Sequence, residues 1–362
     1  MAGSMRPAGD YRTSYQTDRT IFPTRGSAIV CVIAVVALCV LPMQFGAKPL
    51  VASYWLALII QIAYYGIAAL GLNILVGFTG QISLGHSAFF GFGAFMSAYL
   101  SGRHGVPVAL SIPAAGIATG LLGVIVGLPA GRLKGLYLAI ATLASQFVLQ
   151  DFFSRATWFT GGASGANAPS FSLFGFALSG DRSYYYVVLF YLVVMYVFAA
   201  NLMRTRDGRA MVALRDHYLS AEVMGINLTY YRILAFGISS FYAGVGGALM
   251  AHYIGFVSAE AFDLLLSINF LAMVIIGGLG SVMGSLMGAV FILFLPEFMQ
   301  GIVRLIQGMG LGQGASFTDG LAYLKEMAIG LAIVLFLIFE PEGLAARWRK
   351  IKSYWKLYPF SY

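Results

Sequence analysis

The sequence predicts an all-α fold, a bundle of about ten membrane-spanning helices, and three observations support this prediction. Apolar residues make up 59% of the 362-residue chain and charged residues only 10%, against about 45–50% and 25% in soluble domains. The mean hydropathy is +0.83. The apolar residues also form runs of the length that crosses a bilayer, about 20 residues. So few charges cannot cover a water-facing surface, which excludes a soluble enzyme and a disordered chain.

Ten apolar segments have the composition of membrane helices. They cover residues 27–46, 52–75, 82–101, 107–130, 135–150, 184–203, 232–254, 264–279, 282–301 and 322–340. Two of them, 135–150 and 264–279, are short and border glycine-rich stretches. We therefore expect broken or half-crossing helices at these two places.

The basic residues gather in four segments that flank the spans. Of the 22 lysines and arginines, 16 lie in the tail 1–26, the turn 131–135, the loop 204–232 and the tail 341–362. Ten spans place all four segments on one side, which the positive-inside rule identifies as the cytoplasm. The sequence thus predicts a transmembrane domain over 27–340 between two cytoplasmic tails. This distribution explains the net charge of +8 without a nucleic-acid partner.

Glycines and other small residues recur at helical spacing. Spacings of four residues within the segments 107–130 and 232–254 predict close packing of helix backbones. Two Gly-x-x-Gly pairs, Gly77 with Gly80 and Gly277 with Gly280, each follow an apolar segment and lie 200 residues apart. They are compatible with a duplicated half but do not establish one.

Motifs of common catalytic centres are missing from the sequence. There is no GxxxxGK[ST] phosphate-binding loop, and the four histidines are scattered, so no nucleotide, metal or other cofactor is expected. Gly162-Ala-Ser164-Gly fits a short serine-hydrolase pattern, but no histidine is placed to serve it, and no catalytic residue is expected. Few ionisable side chains interrupt the spans, which argues against an ion-coupled transporter, although a sodium site made of carbonyls would escape this test.

The polar segment 204–232 predicts a short amphipathic helix on the charged side. Asp207 can cap its start and Gly225 can end it, while Asn227 or Thr229 can cap the following span. Apolar residues between the caps follow a helical stripe. A capped helix with an apolar stripe favours a docking element over a solvated linker.

The charged residues of this predicted helix form two pairs. Arg209 and Asp216 are seven residues apart, and so are Arg215 and Glu222. Two full turns of an α-helix take about seven residues, so each pair is expected to share one face.

Four stretches of the chain resemble bacterial ABC transporter permeases of the branched-chain amino acid family, LivM type. They are RAMVALRDHYLSAEVMGIN at 209–227, GLNILVGFTGQISLGHSAFFG at 71–91, TGGASG at 160–165 and FLAMVIIGGLGS at 270–281. They occur in the order that the family shows and together span much of the chain.

The resemblance implies the ABC importer permease fold and a non-catalytic subunit that forms the translocation pathway in a bacterial inner membrane. The partners that it implies are a second homologous permease, two cytoplasmic ABC ATPases and an external, periplasmic solute-binding protein. The segment 204–232 would then couple the ATPases to the spans. The resemblance assigns this coupling role to Arg209, Arg215, Asp216, Glu222, Gly225 and Asn227.

The cargo implied by the resemblance is a branched-chain or related amino acid. Many family members have Glu where this chain has Asn269, and the loop 160–165 lacks the Asp or Asn that is frequent there. The family also imports urea, short amides and aromatic acids, so these cargoes stay open. An ion-coupled secondary transporter and an intramembrane enzyme using Ser164 are the alternatives from other classes.

Polar residues near the glycine-rich breaks are candidates for the substrate pathway, because broken helices often mark transport sites. These candidates are Asn73, Gln81, Ser83, His86 and Ser87, with Asn269 opposite them. For each residue, a hydrogen bond between helices is an equally good interpretation.

Overall fold

The fold is described by a computed structural model. It covers residues 25–42, 44–45, 48–49, 53–133, 135–173, 176–177, 180–308 and 342–357, and single positions between 327 and 339. Within these residues the chain is mostly helical, as predicted. The expected tail 1–26 and the expected last span 322–340 fall mainly outside the described residues.

Thirteen helices are described, and we number them in chain order. They are α1 (Arg25–Val40), α2 (Ser53–Asn73), α3 (His86–His104), α4 (Val108–Ala130), α5 (Leu136–Arg155), α6 (Thr157–Thr160), α7 (Asp181–Leu202), α8 (Arg206–Asp216), α9 (Tyr218–Val223), α10 (Leu228–Ile254), α11 (Leu264–Gly277), α12 (Val282–Gly308) and α13 (Gly343–Leu357).

Three small two-stranded sheets accompany the helices, and all three are antiparallel. Their strands are β1 (Gln44–Phe45), β2 (Lys48–Pro49), β3 (Ala166–Asn167), β4 (Ser172–Leu173), β5 (Phe176–Ala177) and β6 (Phe256–Val257). The pairing of β3 with β6 ties the loop after α6 to the end of α10. The other two pairings are local hairpins.

Seven helices in the described part of the chain are long and apolar enough to cross a membrane. They are Ser53–Phe78, Val108–Ala130, Leu136–Arg155, Asp181–Leu202, Leu228–Ile254, Ala259–Gly277 and Val282–Gly301. The predicted count of about ten is not confirmed. One predicted span corresponds to α1, which has only 16 residues, and another to α3, which carries several polar side chains.

The two segments expected to be short differ from each other in the structure. The first, α5, is a full helix of 20 residues, so the expectation of a broken helix there was wrong. The second, α11, has 14 residues and is short as expected. Asp263 begins α11 by accepting a hydrogen bond from the Leu266 amide (2.9 Å).

The core is organised around α10, a helix of 27 residues that packs against α2, α3 and α4. Small residues allow these close approaches, because a methyl group at Gly93 would overlap Gly244 and one at Gly247 would overlap the Phe90 backbone. Ser240 likewise lies against Gly123. The packing predicted from small-residue spacing is therefore present in the core.

Candidate functional site

The end of α2 departs from regular helix. Residues Ile74–Phe78 form one π-helical turn, and the chain then leaves the helix at Gly80. The Thr79 hydroxyl donates to the Leu75 carbonyl (2.5 Å), and the backbone N–H of Gln81 donates to the same carbonyl (3.1 Å). Such turns are rare and concentrate at functional places in helices.

The second helix break is the turn between α11 and α12. Gly278 and Gly280 have φ of +116° and +74°, a backbone conformation that side chains disfavour. Asn73 clamps this turn from α2. Its Nδ2 donates to the Ser281 carbonyl (2.8 Å) and to the Ser285 hydroxyl (2.8 Å), and its Oδ1 accepts from the Gly280 amide (2.9 Å).

The two Gly-x-x-Gly pairs meet at this point. A methyl group at Gly77 would overlap the Gly280 amide nitrogen, and one at Gly280 would lie 3.1 Å from the Gly77 carbonyl oxygen. Direct contact therefore explains the need for a small residue at one position of each pair, Gly77 and Gly280. The duplicated half stays a prediction.

Arg215 reaches the same point from α8. Its Nη1 donates to the Gly77 carbonyl (2.8 Å), and its Nε donates to the Asp216 carboxylate (2.9 Å). Its aliphatic stem lies against Gly80. We call this cluster the glycine junction and define it by Asn73, Gly77, Gly80, Gly278, Gly280 and Arg215.

The segment between α7 and α10 contains two helices where a single one over 208–224 was predicted. Thr205 caps α8 by accepting from the Gly208 amide (3.2 Å), so the cap is not the predicted Asp207. The Asp207 carboxylate instead accepts from the Tyr231 hydroxyl (3.2 Å). The break lies at His217, whose φ of −157° is extended.

This break separates Arg215 from Glu222, which were predicted to share one face of a single helix. Arg215 lies in the last turn of α8 and forms an ion pair with its neighbour Asp216, while Glu222 belongs to α9. Arg209 donates to the Arg204 carbonyl (3.0 Å). Asn227 caps α10, accepting from the Tyr230 amide (3.0 Å), as its position predicted.

Three apolar side chains of α9 and its end are exposed, and the sequence reasoning missed them. Val223 is 87% and Met224 82% accessible, and Leu219 is half exposed. On the other side of the same segment, Ala221 and Leu228 are buried. We call Leu219, Val223 and Met224 the docking tip. Exposed apolar side chains on a polar, folded segment are typical of a protein interface.

A cavity of about 520 Å³ lies beside the docking tip. Its lining includes Arg132, Glu222, Asn227 and Arg232. The Arg232 guanidinium donates to the Gly131 carbonyl (3.1 Å). The turn after α4 and the segment 204–232, two of the four basic regions, therefore lie together at one end of the bundle.

Three of the predicted pathway residues, Asn73, His86 and Ser87, are buried and join helices. His86 Nε2 contacts the Ala68 carbonyl (2.9 Å), and the Ser87 hydroxyl donates to the Asp263 carbonyl (2.6 Å). Ser83 is buried and accepts from the Gly85 amide (3.5 Å). Asn73, His86 and Ser87 thus have the hydrogen bonds expected of helix linkers, whereas the hydrogen bond of Ser83 stays within its own loop.

Two other predicted pathway residues, Gln81 and Asn269, differ from these linkers. Gln81 is 4% exposed and donates to the Thr79 hydroxyl (2.8 Å), but its Oε1 has no hydrogen-bond partner in the part of the chain described. Asn269 is partly exposed on α11, two residues beyond Ser267, which bonds the Ser87 hydroxyl (2.9 Å).

Gln146 is a buried polar residue that the sequence reasoning missed. Its Oε1 accepts from the Ala88 amide (2.9 Å) and its Nε2 donates to the Phe262 carbonyl (2.8 Å). It therefore joins α5 to the start of α3 and to the loop before α11. A side-chain amide within a predicted apolar span was the available signal, since a polar group in a membrane needs a hydrogen-bond partner from the protein.

Ser164 lies exposed in a short 3₁₀ turn. The serine–histidine hydrogen bonds in the described residues join His252 to Ser97 and Ser111, and His217 to Ser220. Ser164 takes part in none of them. The structure therefore gives no support to a serine nucleophile there.

Fold and site together define a multi-pass helical membrane protein whose folded polar segment is anchored at two helix breaks. The family model described as "Branched-chain amino acid transport system / permease component" matches residues 54–337, more than half of the chain. The chain belongs to this family of membrane transport permeases.

Individual relatives agree with the family match. The high-affinity branched-chain amino acid transport system permease protein LivM of Salmonella typhimurium is 33% identical over 316 residues, 80% of this chain and 70% of that protein. LivM of Escherichia coli is 32% identical over 304 residues, 77% and 67% of the two chains. The fructose import permease protein FrcC of Rhizobium meliloti is 29% identical over 278 residues, 74% and 76% of the two chains. No solved structure matches the chain.

Proposed function

We propose that this chain is the membrane permease subunit of an ATP-driven ABC importer for branched-chain or related amino acids. ATP is hydrolysed on separate subunits, and the segment 204–232 transmits their motion to the spans. The observation that carries this proposal is the hydrogen bond from Arg215 to the Gly77 carbonyl (2.8 Å), which connects the segment to a helix break.

The docking tip supports a protein partner on the polar side. Val223 and Met224 are almost fully exposed, and burying apolar side chains of this size contributes about 1.5–3 kcal/mol each. A cleft in a cytoplasmic ATPase is the partner that fits the family. Glu222 and Gly225 lie next to the tip and border the cavity there, so they belong to the proposed contact.

The glycine junction supports transmission beyond the docking tip. Asn73 and Gly280 are hydrogen-bonded across the two helix breaks, while Arg215 holds one of the breaks from α8. A displacement of α8 would therefore act on both breaks together. Energy enters as a difference in these contacts between two states of the subunit.

Charge supports a cytoplasmic assignment for this end of the bundle. The turn after α4 meets the segment 204–232, and the basic helix α13 begins against Gly278. Three of the four basic regions thus share one end, and positive charge is retained inside. We accordingly place both chain termini in the cytoplasm of a bacterium.

The opposite end supports delivery of solute from outside. α10 has 27 residues and so extends about 40 Å from the segment 204–232 to the β3–β6 pair. That pair closes the loop after α6. We propose that an external solute-binding protein meets this end and that a second homologous permease completes the pathway.

Gln81 and Asn269 are the residues that we propose for contact with the cargo. The buried Gln81 Oε1 lacks a hydrogen-bond partner among the described residues, and Asn269 is partly exposed. Neutral amide groups suit the polar ends of an amino acid in an otherwise apolar passage. Urea, short amides and aromatic acids are the alternative cargoes for the same machinery.

The test is uptake by vesicles that contain the chain together with candidate ABC ATPases, a second permease and a solute-binding protein from the same organism. We expect uptake of labelled leucine to need ATP, the ATPases and the binding protein together. Uptake by this chain alone under a sodium or proton gradient would contradict the proposal and favour a secondary transporter.

A further inference from the structure

The helix α13 begins inside the bundle. Gly343 packs against Gly278 so closely that a methyl group at Gly343 would overlap the Gly278 backbone. Ala345 and Ala346 follow and are buried. The start of α13 is thus fixed to the glycine junction, at the end of the bundle that holds α8.

Beyond Ala346, α13 leaves the bundle. Every described side chain from Arg347 to Tyr354 is exposed. The sequence of α13 holds five basic residues and no acidic one, and Lys350 approaches Glu342, just before the helix, at 3.3 Å. A segment expected only as a basic tail is therefore an ordered, strongly cationic helix.

An apolar stripe runs along the exposed part of α13. Trp348 and Ile351 are each 50% accessible and Tyr354 is 61% accessible. Because they recur every third residue, the three side chains lie within about 120° of one another around the helix. The same geometry places Lys350 and Lys352 at the two edges of the stripe.

We propose that α13 lies on the anionic phospholipid surface of the leaflet at this end of the bundle. Aromatic and aliphatic side chains on one face, flanked by lysines and arginines, are the composition of an interfacial helix. Lysine and arginine stems can follow the apolar face while their charges reach phosphate groups. The cytoplasmic leaflet supplies the matching negative charge.

Because α13 is attached to the glycine junction, its contact with lipid affects that junction. Gly278 touches α13 and belongs to the turn that Asn73 clamps. Seating of α13 on lipid is therefore transmitted to the α11–α12 turn. Anionic lipid would therefore bias the α11–α12 turn, which Asn73 joins to the break that Arg215 holds at the end of α2.

The experiment follows the fluorescence of Trp348 in the full chain, with the other three tryptophans (Trp55, Trp158 and Trp355) replaced by Phe. Nanodiscs contain brominated phosphatidylcholine, with or without brominated phosphatidylglycerol. We expect quenching to rise when the anionic lipid is present and to fall at high salt. Each basic residue near such a surface contributes enough to change the bound-to-free ratio of the helix about fivefold.

The variant Lys350→Gln with Lys352→Gln removes the charges at the two edges of the stripe, and Arg155→Gln with Arg182→Gln is the matched control. The first pair is expected to reduce quenching and the second to leave it unchanged. Equal quenching in both lipid mixtures would overturn the proposal. So would quenching by aqueous acrylamide regardless of lipid, or shielding of Trp348 from both quenchers, as a protein cover would produce.

Discussion

At the scale of single residues, the side chain of Asn73 connects the two helix breaks. Its amide makes three hydrogen bonds across the glycine junction, and the side chain is buried. The sequence predicted Asn73 as a substrate-pathway candidate, with a hydrogen bond between helices as the equal alternative, and the structure contains such hydrogen bonds. The partners of Asn73 could not be predicted, because the hydrogen bonds bridge 207 to 212 residues of sequence.

Replacement of Asn73 by Leu removes these three hydrogen bonds and leaves the Gly280 amide unpaired. At about 1 kcal/mol each, the expected loss is about 2–4 kcal/mol in the free energy of unfolding. Thermal unfolding in detergent measures it. Asn201→Leu, at an exposed position, is the control, and an equal shift in both variants would argue against the clamp.

Gly77 is the second residue whose identity the junction requires. A methyl group there would overlap Asn73 and the Gly280 amide, and such overpacking costs about 1–3 kcal/mol. We expect Gly77→Ala to lower the unfolding temperature. Gly301→Ala is the matched control, since open space surrounds that position. A wild-type unfolding temperature for Gly77→Ala would mean that the two breaks do not touch.

At the scale of elements, periodicity and caps predicted most helices but not their interruptions. The α5 helix runs on to Arg155 because the polar residues after position 150 continue the helix, with Asp151 bonded to Arg155 (2.8 Å). The segment 204–232 divides at His217 because the ring accepts from the Ser220 amide (3.4 Å) and starts a new helix. Neither event leaves a hydropathy signal.

The role proposed for the docking tip can be tested by mutation, because its side chains are exposed. We expect Val223→Asp with Met224→Asp to abolish copurification of the ATPases, since losing a central apolar contact of about 2 kcal/mol weakens binding about thirtyfold. The fold should survive because both side chains face solvent. Ser170→Asp, exposed in the loop before β4, is the control. Unchanged ATPase binding by the tip variant would show that the partner binds elsewhere.

At the scale of the whole molecule, composition and charge predicted a membrane bundle with four basic regions at one end, and the described residues bring three of these regions together. The number of spans was less accessible to sequence reasoning. The α3 helix lies among α4, α10 and α5 while carrying buried Ser97 and Ser101, so its apolarity is low although its position is central. A helix that is surrounded by other helices can carry more polar residues than a helix that faces lipid.

The most direct test of the account is the coupling of ATP hydrolysis to uptake in Arg215→Ala, with Arg215→Lys as the conservative variant. Loss of a charged hydrogen bond of about 1.5–3 kcal/mol predicts a complex that assembles and hydrolyses ATP, with uptake per ATP lowered about tenfold or more. Lysine should restore part of the coupling. An assembled Arg215→Ala complex that transports as well as the wild type would contradict the account.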